Sequence, residues 1–94
     1  MTRLSPDAVR DGLRQLEGWD LAGAAICKAF LWPSFAEAMK FVNRVADLAE
    51  LADHHPDMLI NYRRVTLTLS THSEGGITQK DFDLAKQVEG SCRE

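Results

Sequence analysis

The sequence predicts an α+β domain, a four-stranded antiparallel sheet with helices packed on one face, in the order α-β-β-α-β-β-α. Three observations carry that prediction. Apolar residues recur at helical spacing from Phe35 for about five turns. Val65, Leu67 and Leu69 alternate with Thr66, Thr68 and Ser70, which is the period of a strand with one apolar face. Serine or threonine followed three residues later by an acid stands before two of the helical stretches, a spacing that satisfies the free N–H groups of a first turn.

The elements follow in order. Ser5-Pro6 opens a helix, with serine as cap and proline where a missing N–H costs nothing, and Val9, Leu13 and Leu16 keep one face until Gly18. Trp19-Asp20-Leu21 reads as a short strand, turned at Ala22-Gly23-Ala24 into a second strand over Ile26–Trp32. Apart from Lys28 that strand is apolar on both faces, which suits a central position or a contact surface, and Pro33 ends it. Ser34 and Glu37 form a capping box for the long helix, whose stripe of Phe35, Met39, Val42, Ala46 and Ala49 is widened by Phe41, Val45 and Leu48. The helix must end near Asp53 or His54, because Pro56 pushes His55 out of helical conformation. Met58–Tyr62 and Arg64–Ser70 are two further strands, and His72 to Gly76 is a turn. Thr78 and Asp81 cap a final helix with Phe82, Ala85 and Val88 inward, closed by Gly90.

With 94 residues the chain has room for one domain, 1–94. So short a chain buries only roughly 60 to 65% of its unfolded surface, so a homo-oligomer is expected. The 11 basic and 14 acidic side chains, net −3, give no basic excess for phosphate, so no direct nucleic-acid partner is expected. The first residues hold charges and no apolar run, and no stretch approaches a membrane span, so a cytoplasmic protein with no membrane partner is expected. Cys27 and Cys92, far apart in sequence, form neither a disulfide framework nor a paired metal motif, and reduced thiols are expected.

The unusual residues are the 3 histidines, His54, His55 and His72. Imidazole alone titrates near neutrality unperturbed, so a site with several can hold an acid and a base together. His54 and His55 sit where the long helix breaks, and both can face one cleft. If the third and fourth strands pair as a hairpin, His72 at the end of the fourth arrives beside the His54-His55-Pro56 turn. Glu50 stands at i, i+4 before His54, able to orient that imidazole, and Asp81 can serve a second imidazole or simply cap its helix. The residues alone leave three readings: solvated turn histidines, an acid/base site, or a zinc site, the last awkward for an adjacent pair with no cysteine nearby. Gly75-Gly76 is no phosphate loop, and no nucleophile elbow surrounds Ser70 or Ser73.

Glu50, His54-His55-Pro56-Asp57, Tyr62, Val65, Ser70-Thr71-His72, Gly75-Gly76 and Asp81, with Glu17-Gly18-Trp19 upstream, resemble the signature of the pterin-4a-carbinolamine dehydratases over nearly the whole chain. The resemblance implies a hydro-lyase that dehydrates 4a-hydroxytetrahydropterin to quinonoid dihydropterin, recycling the cofactor of aromatic amino acid hydroxylases, with no metal or other cofactor. It matches His54 and His72 to the acid/base histidines and His55 to a substrate-contacting one that shares the chemistry. Glu50 and Asp81 match supporting carboxylates, and Pro56, Thr71, Ser73 and Glu74 fall in segments that line the pterin site. It also implies a dimer or tetramer, and a non-catalytic dimerisation, coactivator or assembly module of the same fold as the alternative function. Tyr62-Arg63 and Met58 depart from common family residues, which bears on pocket packing rather than on the histidines.

Overall fold

The computed structural model describes residues 2–92. Its elements are α1 (Pro6–Arg14), β1 (Asp20–Ala22), β2 (Ala25–Leu31), α2 (Phe35–Ala52), β3 (Asp57–Asn61), β4 (Arg64–Leu69) and α3 (Gln79–Ser91), with a short 3-10 helix at His72–Glu74. The predicted α+β order is therefore observed. All strand pairings are antiparallel and the sheet order is β1-β2-β4-β3, so β2 is interior, one of the two placements its apolar faces suit.

Register decides which side chains meet the helices. Ile26 pairs with Leu69, Lys28 with Leu67 and Phe30 with Val65, and the apolar members of these pairs share one buried core with Phe41 and Val45 of α2 and Leu84, Ala85 and Val88 of α3. The opposite face is open: Leu31 is 70% exposed and Leu59 59%. Lys28 also points to the helical side. Its ammonium donates to the Glu17 carbonyl at 2.9 Å and to Glu89 of α3, whose Oε1 also accepts from Trp19 Nε1 at 3.0 Å. The one polar break in β2 is thus a tie between strand, α3 and the segment after α1, half-sheltered and hydrogen-bonded as a buried charge must be.

Several boundaries move. α1 stops at Arg14, short of Gly18, although Leu16 remains buried. Both early strands shift: Trp19 precedes β1 as a buried core residue, and Trp32 lies past β2. At Ser34 only half of the capping box forms; its hydroxyl accepts from Glu37 N–H at 3.1 Å while the Glu37 carboxylate turns toward Lys40. Tyr62 leaves β3 for the tight turn to β4, with a positive φ of 54°. α3 runs through Gly90 to Ser91.

The largest difference concerns the seam of α2. The buried line is Ala38, Phe41, Val45 and Ala49, whereas Phe35, Met39, Val42 and Ala46 lie half or fully open. Both stripes are apolar, so periodicity could not choose between them. Close approach could: alanines at 38 and 49, 0% and 1% exposed, let α2 settle onto its neighbours, and Phe41 fills the space between them. Its ring centroid lies 4.7 Å from that of Phe30 and 4.8 Å from that of Trp32.

Phe41→Ala is therefore expected to destabilise the fold by about 3–5 kcal/mol in urea denaturation. Leu51→Ala, at a side chain 86% exposed, is expected to change stability by less than about 0.5 kcal/mol. Equal effects would contradict the assignment of the seam.

Candidate active site

The site begins with how α2 stops. Asp53 adopts left-handed dihedrals, φ 50° and ψ 43°, a conformation that a short polar side chain tolerates. The turn carries His54 off the helical path, and its backbone N–H bonds back to the Ala49 carbonyl at 3.1 Å. Pro56 then commits the chain to β3.

So placed, the His54 side chain is only 10% exposed, and its Nε2 lies 2.5 Å from Oδ1 of Asp81, which is 0% exposed. Asp81 comes from the first turn of α3. Its other oxygen, Oδ2, accepts the Thr78 N–H at 2.9 Å and the Thr71 hydroxyl at 3.0 Å. The hydroxyls of Thr71 and Thr78 meet at 2.7 Å, both in buried surroundings. One carboxylate thus joins the end of α2, the start of α3 and the segment leaving β4. No lysine or arginine pairs with it among the described residues; three neighbouring groups, the His54 imidazole, the Thr71 hydroxyl and the Thr78 amide, stand in for water around it.

This arrangement corrects two sequence expectations. Glu50 serves His55 and not His54: its Oε1 lies 3.2 Å from His55 Nε2, with side chains 78% and 56% exposed respectively. The left-handed turn at Asp53 is the reason, because it removes His54 from the helical face on which i and i+4 coincide. The sequence allows Asp81 to be either a helix cap or an imidazole's partner. It is both, since a carboxylate has two oxygens and each takes one task. The partner is His54, the imidazole assigned to Glu50 from sequence.

His72 lies in the 3-10 helix rather than at the end of β4, which stops at Leu69. The turn is closed by the Thr71–Gly76 bridge and by Gly75, whose φ of 68° suits glycine. Arg3 lies across it, donating to the Gly75 carbonyl at 3.4 Å, and a Cβ on Gly76 would sit 2.5 Å from Arg3 Cδ. His72, Ser73 and Glu74 are exposed. The β3–β4 pairing sets Asp57 opposite Thr68, so the hairpin does carry the His54-His55-Pro56 turn toward the segment that leads to His72. Thr71, the residue before His72, closes the link through Asp81 to His54. The imidazoles share no hydrogen bond among the described residues, and no three His, Cys, Asp or Glu side chains there stand together as a metal donor set.

Two residues carry more than sequence reasoning assigned them. The sequence gives Thr78 only a capping role, yet its hydroxyl also meets Thr71; the available signal is a capping threonine with a second threonine before the turn. Thr71, matched to the pterin-lining segment, turns its hydroxyl inward to Asp81. A cavity of about 460 Å³ opens between α1, the β1–β2 turn and Gly75 to Ile77, with no histidine in its lining. Among the described residues no helix is long and apolar enough to cross a membrane.

The chain is similar to known proteins of one family. A family model described as "Pterin 4 alpha carbinolamine dehydratase" matches residues 2–91. A Roseiflexus sp. (strain RS-1) protein named as a candidate pterin-4-alpha-carbinolamine dehydratase is 53% identical, over 94% of this chain and 95% of its own length. A protein of the same name from Thermomicrobium roseum is 47% identical over the same shares. The crystal structure of a Brucella melitensis protein, described as a transcriptional coactivator/pterin dehydratase, matches with a TM-score of 0.91 at 36% identity, covering 95% of this chain and 97% of that one. A pterin dehydratase-like protein described as a RuBisCO assembly factor in the alpha-carboxysome shares the fold, with a TM-score of 0.63 at 22% identity over 77% of this chain and 83% of its own.

Because Asp81 both caps α3 and holds His54, Asp81→Asn is expected to lower stability by about 1–3 kcal/mol in urea denaturation. Glu50→Gln, on an exposed pair, is expected to leave the midpoint unchanged.

Proposed function

The chain belongs to the pterin-4a-carbinolamine dehydratase family and is a hydro-lyase with that activity, and from that premise we propose that His54 and His72 exchange the protons of the dehydration. The observation that carries this assignment is the sheltered His54–Asp81 pair on a histidine that matches the family motif. Imidazole backed by a carboxylate has a fixed ring orientation and one nitrogen left to work.

In the dehydration a proton leaves the ring nitrogen next to C4a, its electron pair forms the C=N bond, and the C4a–O bond breaks as the departing hydroxyl gains a proton. Water and quinonoid dihydropterin result. One histidine of the pair takes the nitrogen's proton and the other delivers one to the hydroxyl, each within the range of ordinary general acid/base catalysis. His55, steadied by Glu50, contacts the substrate and shares the chemistry. Pro56 and the Thr71 to Glu74 segment border the bound pterin. The reaction balances without any metal or redox cofactor.

A 4a-hydroxytetrahydrobiopterin or related 4a-hydroxytetrahydropterin is the substrate in this reading, and recycling for an aromatic amino acid hydroxylase is the role. One domain spanning 1–94 is sufficient for it. The protein acts as a cytoplasmic homo-oligomer, dimer or tetramer, without nucleic-acid or membrane partners. The half-open face of α2, with Phe35 50% exposed, supports self-association. A non-catalytic dimerisation, coactivator or assembly role is the second reading, favoured by the open sheet face and by the description of the Brucella melitensis relative.

Loss of the carbinolamine absorbance tests the primary reading. His54→Ala and His72→Ala, each folded by circular dichroism, are expected to lower kcat by about 10²–10⁴-fold, and activity is expected to survive exhaustive chelation. A wild-type rate equal to the spontaneous one, or full rate in both variants, would overturn it.

A further inference from the structure

We propose that Thr71 and Thr78 are positioning residues for the dehydration, forming a hydroxyl chain that ends on Asp81 and sets which nitrogen of His54 exchanges protons with substrate. The inference rests on the reading of His54 as an acid/base group, and it follows from counting donors.

Thr71 has one hydroxyl proton, and it goes to Asp81 Oδ2 at 3.0 Å. In the 2.7 Å contact between the threonines, Thr78 must then be the donor and Thr71 the acceptor. Thr78 Oγ1 keeps a lone pair for Lys80 N–H at 3.3 Å. With the Thr78 N–H also on Oδ2, that oxygen accepts two protons, one from the Thr71 hydroxyl and one from the Thr78 amide. Asp81 therefore faces His54 as an acceptor, and the proton in that 2.5 Å contact belongs to imidazole Nε2. Neutral His54 is then the Nε2–H ring, and Nδ1 is left as the base, or as the donor once the ring is protonated.

The burial of the chain gives it effect. Thr71 is 6% exposed and Thr78 0%, so neither hydroxyl can trade its partner for water. Removing the Thr71 hydroxyl strips one of the two donors from Oδ2 and loosens the carboxylate that holds the ring. Thr71 thereby acts through Asp81, although it immediately precedes the exposed His72 turn. Thr78 acts one step further out, through Thr71, and its amide remains in place in any side-chain variant.

The test combines kinetics with a direct view of the ring. Thr71→Val, nearly isosteric, is expected to lower kcat by about tenfold with KM unchanged, the loss of one hydrogen bond to a charged group. Thr71→Ser is expected to restore kcat to within about twofold and Thr78→Val to cost less than Thr71→Val, because it is one bond removed. Long-range proton–nitrogen correlation spectra of the wild type are expected to show neutral His54 protonated on Nε2. An Nδ1–H ring in the wild type overturns the proposal. So does a Thr71→Val enzyme that keeps the wild-type kcat, or one whose only change is a raised KM, which would mark direct contact with substrate. If His54→Ala abolishes activity while Thr71→Val does not alter it, the hydroxyl chain fails and the acid/base reading stands. If the wild type catalyses no dehydration, that reading fails, and the spectra still decide the ring's proton.

Discussion

A carboxylate with no exposed surface must be satisfied from every side, and the neighbourhood of Asp81 is built to do that. Burying such a group without partners costs several kcal/mol, far more than a marginally stable small domain can lose. Each partner comes from a different part of the chain. His54 comes from the turn after α2, Thr71 from the segment after β4, and Thr78 from the residue before α3. Three junctions that would otherwise be ordinary loops therefore have one permitted arrangement, and that arrangement brings an imidazole to a fixed orientation.

The opposite end of α3 uses a second, partly sheltered carboxylate in a different way. Glu89 ties Lys28 of β2 and Trp19 to the helix, holding the sheet against α3 with a charged pair. Between these two anchor points lies the apolar seam of Phe41, Val45, Leu84 and Val88. The Lys28–Glu89 pair ties strand to helix, whereas the His54–Asp81 pair joins the turn after α2 to the start of α3.

Much of this was legible in the sequence, for physical reasons that differ by element. Helix starts at Ser5, Ser34 and Thr78 were clear because unsatisfied N–H groups require a local acceptor, and the strand β4 was clear because alternation has one explanation. The seam of α2 was not clear: with two apolar stripes on one helix, only the tertiary approach of Ala38 and Ala49 selects between them. Within the candidate site, spacing pairs Glu50 with His54 and Asp81 with a second ring, whereas Glu50 meets His55 and Asp81 meets His54. Sequence spacing assumes that a helix continues, and the left-handed Asp53 ends that assumption one residue before it is needed. The inward hydroxyls of Thr71 and Thr78 had no sequence period to reveal them, because their meeting depends on the bridge between Thr71 and Gly76.

The central claim is that His54 and Asp81 form one energetic unit, and a double-mutant cycle measures it most directly. Urea denaturation of His54→Ala, Asp81→Ala and the double variant at neutral pH is expected to give a coupling energy of about 1.5–3 kcal/mol, as for a buried hydrogen bond to a charged group. Additivity within about 0.5 kcal/mol would contradict the account, because the two side chains would then contribute to the fold independently of one another.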